Sequence, residues 1–205
     1  MGRALSVDDM MKKKYKLFDF EGEWADAFGQ PEIYGVWFVW GNSGNGKTTF
    51  VLELVKYLAG FLKVGLNSLE EGSAHTMQKS FINVGMKEVA KRVILIEGEN
   101  VEEIIERLKK PKSPDVMVID SLQYFQLNYR DYIKLKRMFP KKLIIYISHA
   151  DGKQPSGRSA KSIMYDATLK IWIEGYKAFS KGRYIGSTGE YMIWAEGAIK
   201  YWGTI

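Results

Sequence analysis

The stretch GNSGNGKT, Gly41 to Thr48, fits the phosphate-binding loop pattern G-x-x-x-x-G-K-[ST] at every fixed position. The β-branched and aromatic run IYGVWFVW (Ile33 to Trp40) before it predicts a buried strand, and TFVLELVKY (Thr49 to Tyr57) after it predicts a helix. Strand, loop and helix therefore follow in the order that this motif requires. An ordinary glycine-rich turn is the alternative, and the flanking elements argue against it.

The chemistry of this loop predicts a nucleotide site. Backbone N–H groups at the amino end of a helix are free to bind an anion, and the helix dipole favours negative charge there. We expect Lys47 to contact the β and γ phosphates of ATP, and the Thr48 hydroxyl to bind Mg²⁺. The residues expected to contact the nucleotide are Gly41, Asn42, Ser43, Gly44, Asn45, Gly46, Lys47, Thr48 and Thr49.

The composition is that of a globular protein without disulfides. The chain has 205 residues, which fits one domain, and a hydrophobic content of 46%. It has no cysteine, so disulfides and cysteine-ligated metals are excluded. No apolar run is long enough to span a bilayer and the N-terminus lacks a signal-peptide core, so we expect a cytoplasmic protein without a membrane partner. The net charge of +6 permits nucleic-acid binding, but solubility alone explains it as well.

The chain is expected to divide into a polar lead-in, residues 1–32, and one domain, residues 33–205. A basic cluster in the lead-in favours a solvated arm over a specific contact; its members are Lys12, Lys13, Lys14 and Lys16.

The domain alternates predicted strands and helices before it changes pattern. Strands are predicted over 61–69, 92–97, 115–121 and 141–147, and helices over 73–83, with Ser73 as its N-cap, and 101–110. Residues 167–174, 176–185 and 191–195 predict strands without helices between them, so the sheet should begin parallel and end antiparallel. The segment 150–162, rich in Gly, Ser and basic residues, is expected to be a long irregular loop.

A second nucleotide motif is predicted at DVMVIDS, Asp115 to Ser121, an apolar strand that ends in an acid. Asp120 is expected to hold Mg²⁺, mostly through water. Strands often stop at an Asp for other reasons, so this motif alone is weak. Its place after Lys47 in a chain of alternating strands and helices favours the nucleotide role.

Hydrolysis of ATP needs a group that orients the attacking water, and many motor ATPases place a Glu directly after the strand-terminal Asp. Ser121 occupies that position here, so the candidates are Glu70 and Glu71 in SLEEG, at the end of the second predicted strand. This displaced Glu resembles the arrangement in RecA-like ATPases, namely the recombinases, the RadA-type branch-migration proteins and the DnaB-type ring helicases. The resemblance implies that Glu70 is the catalytic base, with Glu71 as the alternative.

The resemblance covers residues 20–205 and implies the fold. It implies an α/β, RecA-like three-layer sandwich, with a central, mostly parallel sheet and antiparallel C-terminal strands. YISHADG (Tyr146 to Gly152) resembles the strand end where this family has a polar γ-phosphate sensor, which implies that role for His149. The segment 150–162 lies where the family has its mobile DNA-contacting loop, which implies DNA contacts from Lys153, Arg158 and Lys161.

The segment SKGRYIGSTGEY (Ser180 to Tyr191) resembles the K-x-R hairpin of RadA-like and DnaB-like proteins. The resemblance implies that Lys181 and Arg183 reach into the ATP site of a neighbouring subunit, and hence that the chain assembles into a ring or filament. Arg158 is an alternative to Arg183 in this role, and an exposed charged hairpin is the alternative to the role itself.

The expected function is that of a minimal ATPase acting on DNA, most simply single-stranded DNA, in recombination, annealing or replication. The bare core suggests a phage-encoded protein, since it lacks the accessory domains of the helicases and RadA proteins. Two alternatives stay open: a ring-helicase motor subunit that borrows its missing domains, and a RecA-like ATPase or kinase that acts on protein. A small-molecule kinase is disfavoured, because no arginine-rich lid is evident.

Overall fold

The structure, a computed structural model, describes residues 4–203. The strands in this range are β1 (Gly35–Gly41), β2 (Val64–Ser68), β3 (Val93–Glu97), β4 (Val116–Asp120), β5 (Leu143–Asp151), β6 (Gln154–Pro155), β7 (Leu169–Glu174), β8 (Lys177–Ser180) and β9 (Glu190–Met192). The helices are α1 (Val7–Met11), α2 (Gly22–Phe28), α3 (Lys47–Ala59), α4 (His75–Val84), α5 (Val101–Lys109), α6 (Leu122–Phe125), α7 (Tyr129–Met138), α8 (Arg158–Asp166) and α9 (Ala195–Trp202), with a 3₁₀ turn at Met86–Val89.

One sheet organises the domain, with strand order β3-β2-β4-β5-β1-β7-β8-β9 and with β6 paired to β5. The strands from β3 to β7 in this order run parallel, while β8 and β9 are antiparallel. This confirms the predicted α/β sandwich with a parallel centre and an antiparallel C-terminal extension. The carboxyl ends of β1, β2, β4 and β5 meet at one edge of the sheet, as parallel strands must.

Helices cover both faces of the sheet, and β1 shows why its sequence is apolar throughout. Trp37 and Val39 point into the core shared with α3, whereas Phe38 and Trp40 point into the core on the other face. Successive side chains of a strand alternate between faces, and both faces are dry here, so every residue from Val36 onwards in β1 is buried.

The lead-in segment is only partly the expected solvated arm. Residues 4–17 are exposed, and they include the four lysines of the basic cluster. Phe18, Phe20 and Phe28, by contrast, are buried in the α3-side core, and a bridge joins Leu17 to Glu32. The prediction of a solvated arm is therefore wrong from Phe18 onwards, because three phenylalanines bury more apolar surface there than the polar residues between them can offset.

The prediction of a long irregular loop over residues 150–162 is also wrong. β5 continues to Asp151 and turns into β6, and α8 begins at Arg158. Ala160, Ile163 and Met164 repeat at helical spacing and are buried under the second core, which makes this face of α8 amphipathic. The Gly, Ser and Lys residues around them hide this pattern in the sequence.

Other differences lie at element ends and between strands. The helix predicted from Ser73 begins at His75, with Ala74 as its N-cap and no side-chain cap. Six of the nine helices within residues 4–203 were not predicted: α1, α2, α6, α7, α8 and α9. None of the helices within residues 4–203 is long and apolar enough to cross a membrane.

Candidate nucleotide-binding and hydrolytic site

The phosphate-binding loop joins the carboxyl end of β1 to the first turn of α3, at the edge where the parallel strands end. The backbone N–H groups from Gly44 to Thr48 have no acceptor within the described residues, since the first helical bond is donated by Phe50 to Gly46. Free donors at the start of a thirteen-residue helix are the arrangement that a phosphate group fits. These free donors therefore fit the phosphate chain of the expected nucleotide.

These donors face a cleft of about 680 Å³. The cleft also receives side chains from the ends of three other strands, so that residues far apart in the sequence share one space. Its lining consists of Asn42, Ser43, Gly44, Gly46, Lys47, Thr48, Thr49, Val51, Glu70, Glu71, Asp120, His149 and Ala150.

Glycine is needed at two positions of the loop, Gly41 and Gly46, for different physical reasons. A Cβ on Gly41 would lie 2.6 Å from the carbonyl oxygen of Ile173, so this glycine allows β1 and β7 to pack closely. Gly46 has a φ of +88° and caps α3 in a left-handed conformation. Gly41 does not line the cleft, and its steric constraint comes from β7.

Contacts to β7–β8 and to the β5–β6 hairpin fix the shape of the loop. Asn45 accepts through its backbone oxygen from the Tyr176 N–H at 3.2 Å, and through its side-chain oxygen from the Gly175 N–H at 2.8 Å. The Asn42 side chain donates to the carbonyl oxygen of Gly152 at 3.0 Å. The side chain of Asn45 does not line the cleft, and it holds the loop on the β7–β8 turn.

Asp120 stands at the end of β4, directly opposite Ser68 of β2. Burial raises the pKa of its carboxyl group to about 6, while the nearby Lys47 acts in the opposite direction. A cation placed between this carboxylate and the Thr48 hydroxyl would relieve the cost of burying the charge. Mg²⁺ needs only one or two protein ligands when phosphate oxygens and water complete its shell, so these residues fit it.

The two candidate bases, Glu70 and Glu71, have different side-chain partners. Glu70 is exposed to the cleft, and its carboxylate lies 3.1 Å from Nε2 of His149. Glu71 accepts instead from the Thr76 hydroxyl at 3.1 Å, at the start of α4. Glu70 and His149 thus form a contacting pair in the cleft, whereas Glu71, which also lines the cleft, is bonded to Thr76.

Gln123 was not identified from the sequence. Its amide nitrogen donates to the Ser148 hydroxyl at 2.8 Å and to the Ser156 carbonyl at 3.1 Å, and its amide oxygen accepts from the His149 N–H at 3.1 Å. It therefore holds the end of β5, including His149, to the segment that leads into α8. Its place three residues after Asp120 at a strand end is the signal that could have identified it.

Lys181 and Arg183 lie away from this cleft. The Lys181 N–H donates to the Lys170 carbonyl and the Arg183 N–H to the Thr168 carbonyl, both at the amino end of β7. The phosphate loop lies at the carboxyl end, where Gly41 is opposite Ile173. The structure thus separates the two predicted trans-acting residues from the site of their own subunit.

The three predicted DNA contacts do not converge either. Lys153 is in the turn between β5 and β6 and lines a cavity beside β7 and β8, whereas Arg158 lines a different cavity beside α6. Lys161 is exposed on α8, one turn after Arg158.

Solved structures similar to this chain identify its fold, whereas the sequence comparisons find no match. No family model and no curated protein matches the sequence. Flagellar accessory protein FlaH from Methanocaldococcus jannaschii is 16% identical with a TM-score of 0.60, over 88% of this chain and 92% of that one. A KaiC-like protein from Pyrococcus horikoshii OT3 is 15% identical with a TM-score of 0.58, over 83% of this chain and 94% of that one. The chain has a RecA-like α/β fold.

Proposed function

We propose that this protein is a Mg²⁺-dependent ATPase of the RecA-like type. One observation carries the proposal: a single cleft collects the free N–H donors of the phosphate loop, Lys47, Thr48, Asp120 and Glu70. Each part of ATP hydrolysis that a protein must supply has a residue here. The bound Mg²⁺ would neutralise charge on the phosphate oxygens.

The residues have distinct roles in this proposal. Lys47 and the loop N–H groups bind the phosphate chain, and Thr48 and Asp120 hold the cation. Glu70 orients the attacking water and takes its proton, and it is accessible to water because it is exposed. His149, within 3.1 Å of Glu70, responds to the presence of the γ-phosphate.

Three variants test these roles. Lys47→Ala should weaken ATP binding, while Glu70→Gln should keep binding and lose about 100- to 10,000-fold in turnover, since only the second removes the general base. Glu71→Gln is the matched control, because it carries the same change one residue away. Nucleotide binding and steady-state hydrolysis are measured on the same preparations. Normal hydrolysis by Glu70→Gln together with inactive Glu71→Gln would reverse the assignment, and two fully active variants would refute it.

We propose further that the substrate on which the ATPase acts is single-stranded DNA, in recombination, annealing or replication. The support is the basic, exposed β5–β6 hairpin around Lys153, which accepts a hydrogen bond from Asn42 of the phosphate loop. ATPase rates with and without single-stranded DNA test this part. If DNA neither binds nor changes the ATPase rate, action on DNA is refuted while the proposal of ATP hydrolysis stands.

A second candidate is an ATPase that acts on protein. The observation that favours it is an apolar groove of about 960 Å³ between α4 and the edge strand β3, lined by Phe81 and Met86 among others, with Ile82 71% exposed. Hydrolysis that is indifferent to DNA, with DNA binding absent, would favour this candidate.

A further inference from the structure

A groove lined by aromatic rings and lysines lies beside the nucleotide cleft, on the face of the sheet that carries α8. Its volume is about 550 Å³. We call it the aromatic–lysine groove, and its principal members are Trp172, Phe179, Trp202, Lys153, Lys170 and Lys181.

The register of β7 and β8 builds its floor. Trp172 is opposite Phe179, and Lys181 follows β8 beside Lys170 of β7. The rings and the amines therefore form two neighbouring rows on one face of the sheet extension. Trp202 of α9 closes one side, with its ring centroid 6.2 Å from that of Phe179.

The lysines of the groove are not neutralised by the protein. Within residues 4–203, neither Lys153, Lys170 nor Lys181 forms an ion pair. The acid in the lining, Glu174, accepts from the Trp172 indole N–H at 3.0 Å, and it stands at the opposite end of β7 from Lys170. An anionic ligand is what this charge pattern favours.

The rings at the rim are exposed in a way that a folded core does not require. Trp202 is 44% exposed and Tyr165 of α8 is 73% exposed, while Trp172 beneath them is 5% exposed. Exposed rings beside unpaired lysines are the combination that binds single strands, since bases stack on the rings and phosphates contact the amines.

We propose that the aromatic–lysine groove binds single-stranded DNA. The inference rests on the DNA part of the proposed function, and it places the contacts on Trp202, Tyr165, Lys153 and Lys170. Arg158 and Lys161 lie outside this groove.

The groove and the nucleotide cleft share the β5–β6 hairpin. The Trp40 indole N–H, on β1, donates to the Lys153 carbonyl at 3.1 Å, and the Asn42 side chain donates to the Gly152 carbonyl at 3.0 Å. A strand bound to Lys153 and a nucleotide bound to the loop after β1 therefore act on the same turn. We therefore expect binding at one site to change the affinity at the other.

The test measures fluorescence anisotropy of a labelled oligo-dT with the full chain, with ATP present, over a range of salt concentrations. The slope of log affinity against log salt is negative, and Lys153→Ala/Lys170→Ala should reduce its magnitude by about 1.4. Each phosphate contact on a single strand contributes about 0.7 to that magnitude. Arg158→Ala/Lys161→Ala is the matched control, because it removes the same charge outside the groove, and its slope should stay near that of the unmodified protein. Lys181 is left unchanged, because it is a candidate trans-acting residue.

Ring stacking is tested separately at Trp202. Trp202→Ala should weaken binding by about 5- to 100-fold, and Trp202→Phe should recover most of the affinity, because a base stacks on any aromatic face. Circular dichroism checks that each variant is folded, since the Trp202 indole N–H also donates to the Gly175 carbonyl.

The outcomes separate this inference from the proposed function. If the control double variant loses the slope and the groove variant keeps it, DNA binds at α8, so the groove is refuted while action on DNA stands. If the unmodified protein does not bind the oligonucleotide, the DNA part fails together with the groove, and ATP hydrolysis is unaffected.

Discussion

The separation of Lys181 and Arg183 from the phosphate loop gives a sharp prediction about assembly. Arg183 is bonded beside Thr168, five positions before Ile173, which lies opposite Gly41. Five residues of strand span about 16 Å at about 3.3 Å each. This exceeds the reach of an arginine side chain, so Arg183 can serve catalysis only in the site of a neighbouring subunit.

The expected magnitudes follow from that geometry. A trans-acting cation on the transferring phosphoryl group contributes about 1,000-fold or more in rate, so Arg183→Ala should lose about that factor. In an equal mixture of Arg183→Ala and Lys47→Ala subunits, about a quarter of the interfaces in a closed ring join an intact Arg183 to an intact Lys47. The mixture should therefore recover about a quarter of the unmodified rate per subunit.

The assay is steady-state ATP hydrolysis of each variant alone and of the mixture after dissociation and reassembly. A mixture of Lys47→Ala with Glu70→Gln is the matched control, because both changes lie in the cleft of one subunit and neither partner can repair the other. Specific activity of the unmodified protein should also rise with concentration as subunits associate. Recovery no greater in the first mixture than in the control, or hydrolysis independent of concentration, would refute the shared site.

Three further predictions follow from individual contacts. Burial raises the pKa of Glu53 to about 7. The folded state therefore holds its proton more tightly than the unfolded state, and stability falls as the pH rises from about 4.5 to about 7. At pH 8 Glu53→Gln should thus be more stable than the unmodified protein by about 1 to 2 kcal/mol, after discounting for solvent screening, and at pH 4 it should gain little. Urea unfolding at both pH values measures the two free energies of unfolding. An equal gain at both pH values would contradict the prediction. Gly41→Ala should destabilise the fold by about 1 to 3 kcal/mol in thermal or urea unfolding, because its Cβ would lie 2.6 Å from the Ile173 carbonyl oxygen; an unchanged midpoint would show that β7 moves freely. His149→Ala should lower the steady-state rate by about 100-fold and His149→Gln by much less, since an amide can also donate to a phosphate; equal losses would exclude donation as the role of His149.

The sequence predicted those parts of the site that are each encoded within a short, continuous segment. The phosphate loop needs Gly, Lys and Thr at fixed spacing, Asp120 ends an apolar strand, and Glu70 follows one. Because parallel strands end at one edge, the prediction that these strands share a sheet was enough to bring the residues together.

The parts that were missed depend on pairs distant in the sequence. The amide side chain of Asn45 bonds to Gly175, 130 positions away, and that of Gln123 bonds to Ser148 and the His149 backbone. An amide in a loop looks the same whether it faces a ligand or another loop, since its donors and acceptor suit both. Only the packed sheet shows which partner each amide has.

The sheet extension β7–β8 connects the nucleotide cleft to the other surfaces. Its turn at Gly175 and Tyr176 holds the phosphate loop, and its amino end carries Arg183, while the face between them carries the aromatic–lysine groove. A nucleotide that shifts the loop must therefore act on the strands that carry the groove.

If ATP raises the affinity for oligo-dT by some factor, oligo-dT must raise the affinity for ATP by the same factor, because the coupling free energy between two binding sites is reciprocal. Titrating each ligand in the presence and absence of the other, with the non-hydrolysing Glu70→Gln variant, measures both factors. Asn45→Ala, which removes the side-chain bond to Gly175 at 2.8 Å, should reduce both factors together; a coupling that this variant leaves intact would have to pass through the β5–β6 hairpin instead.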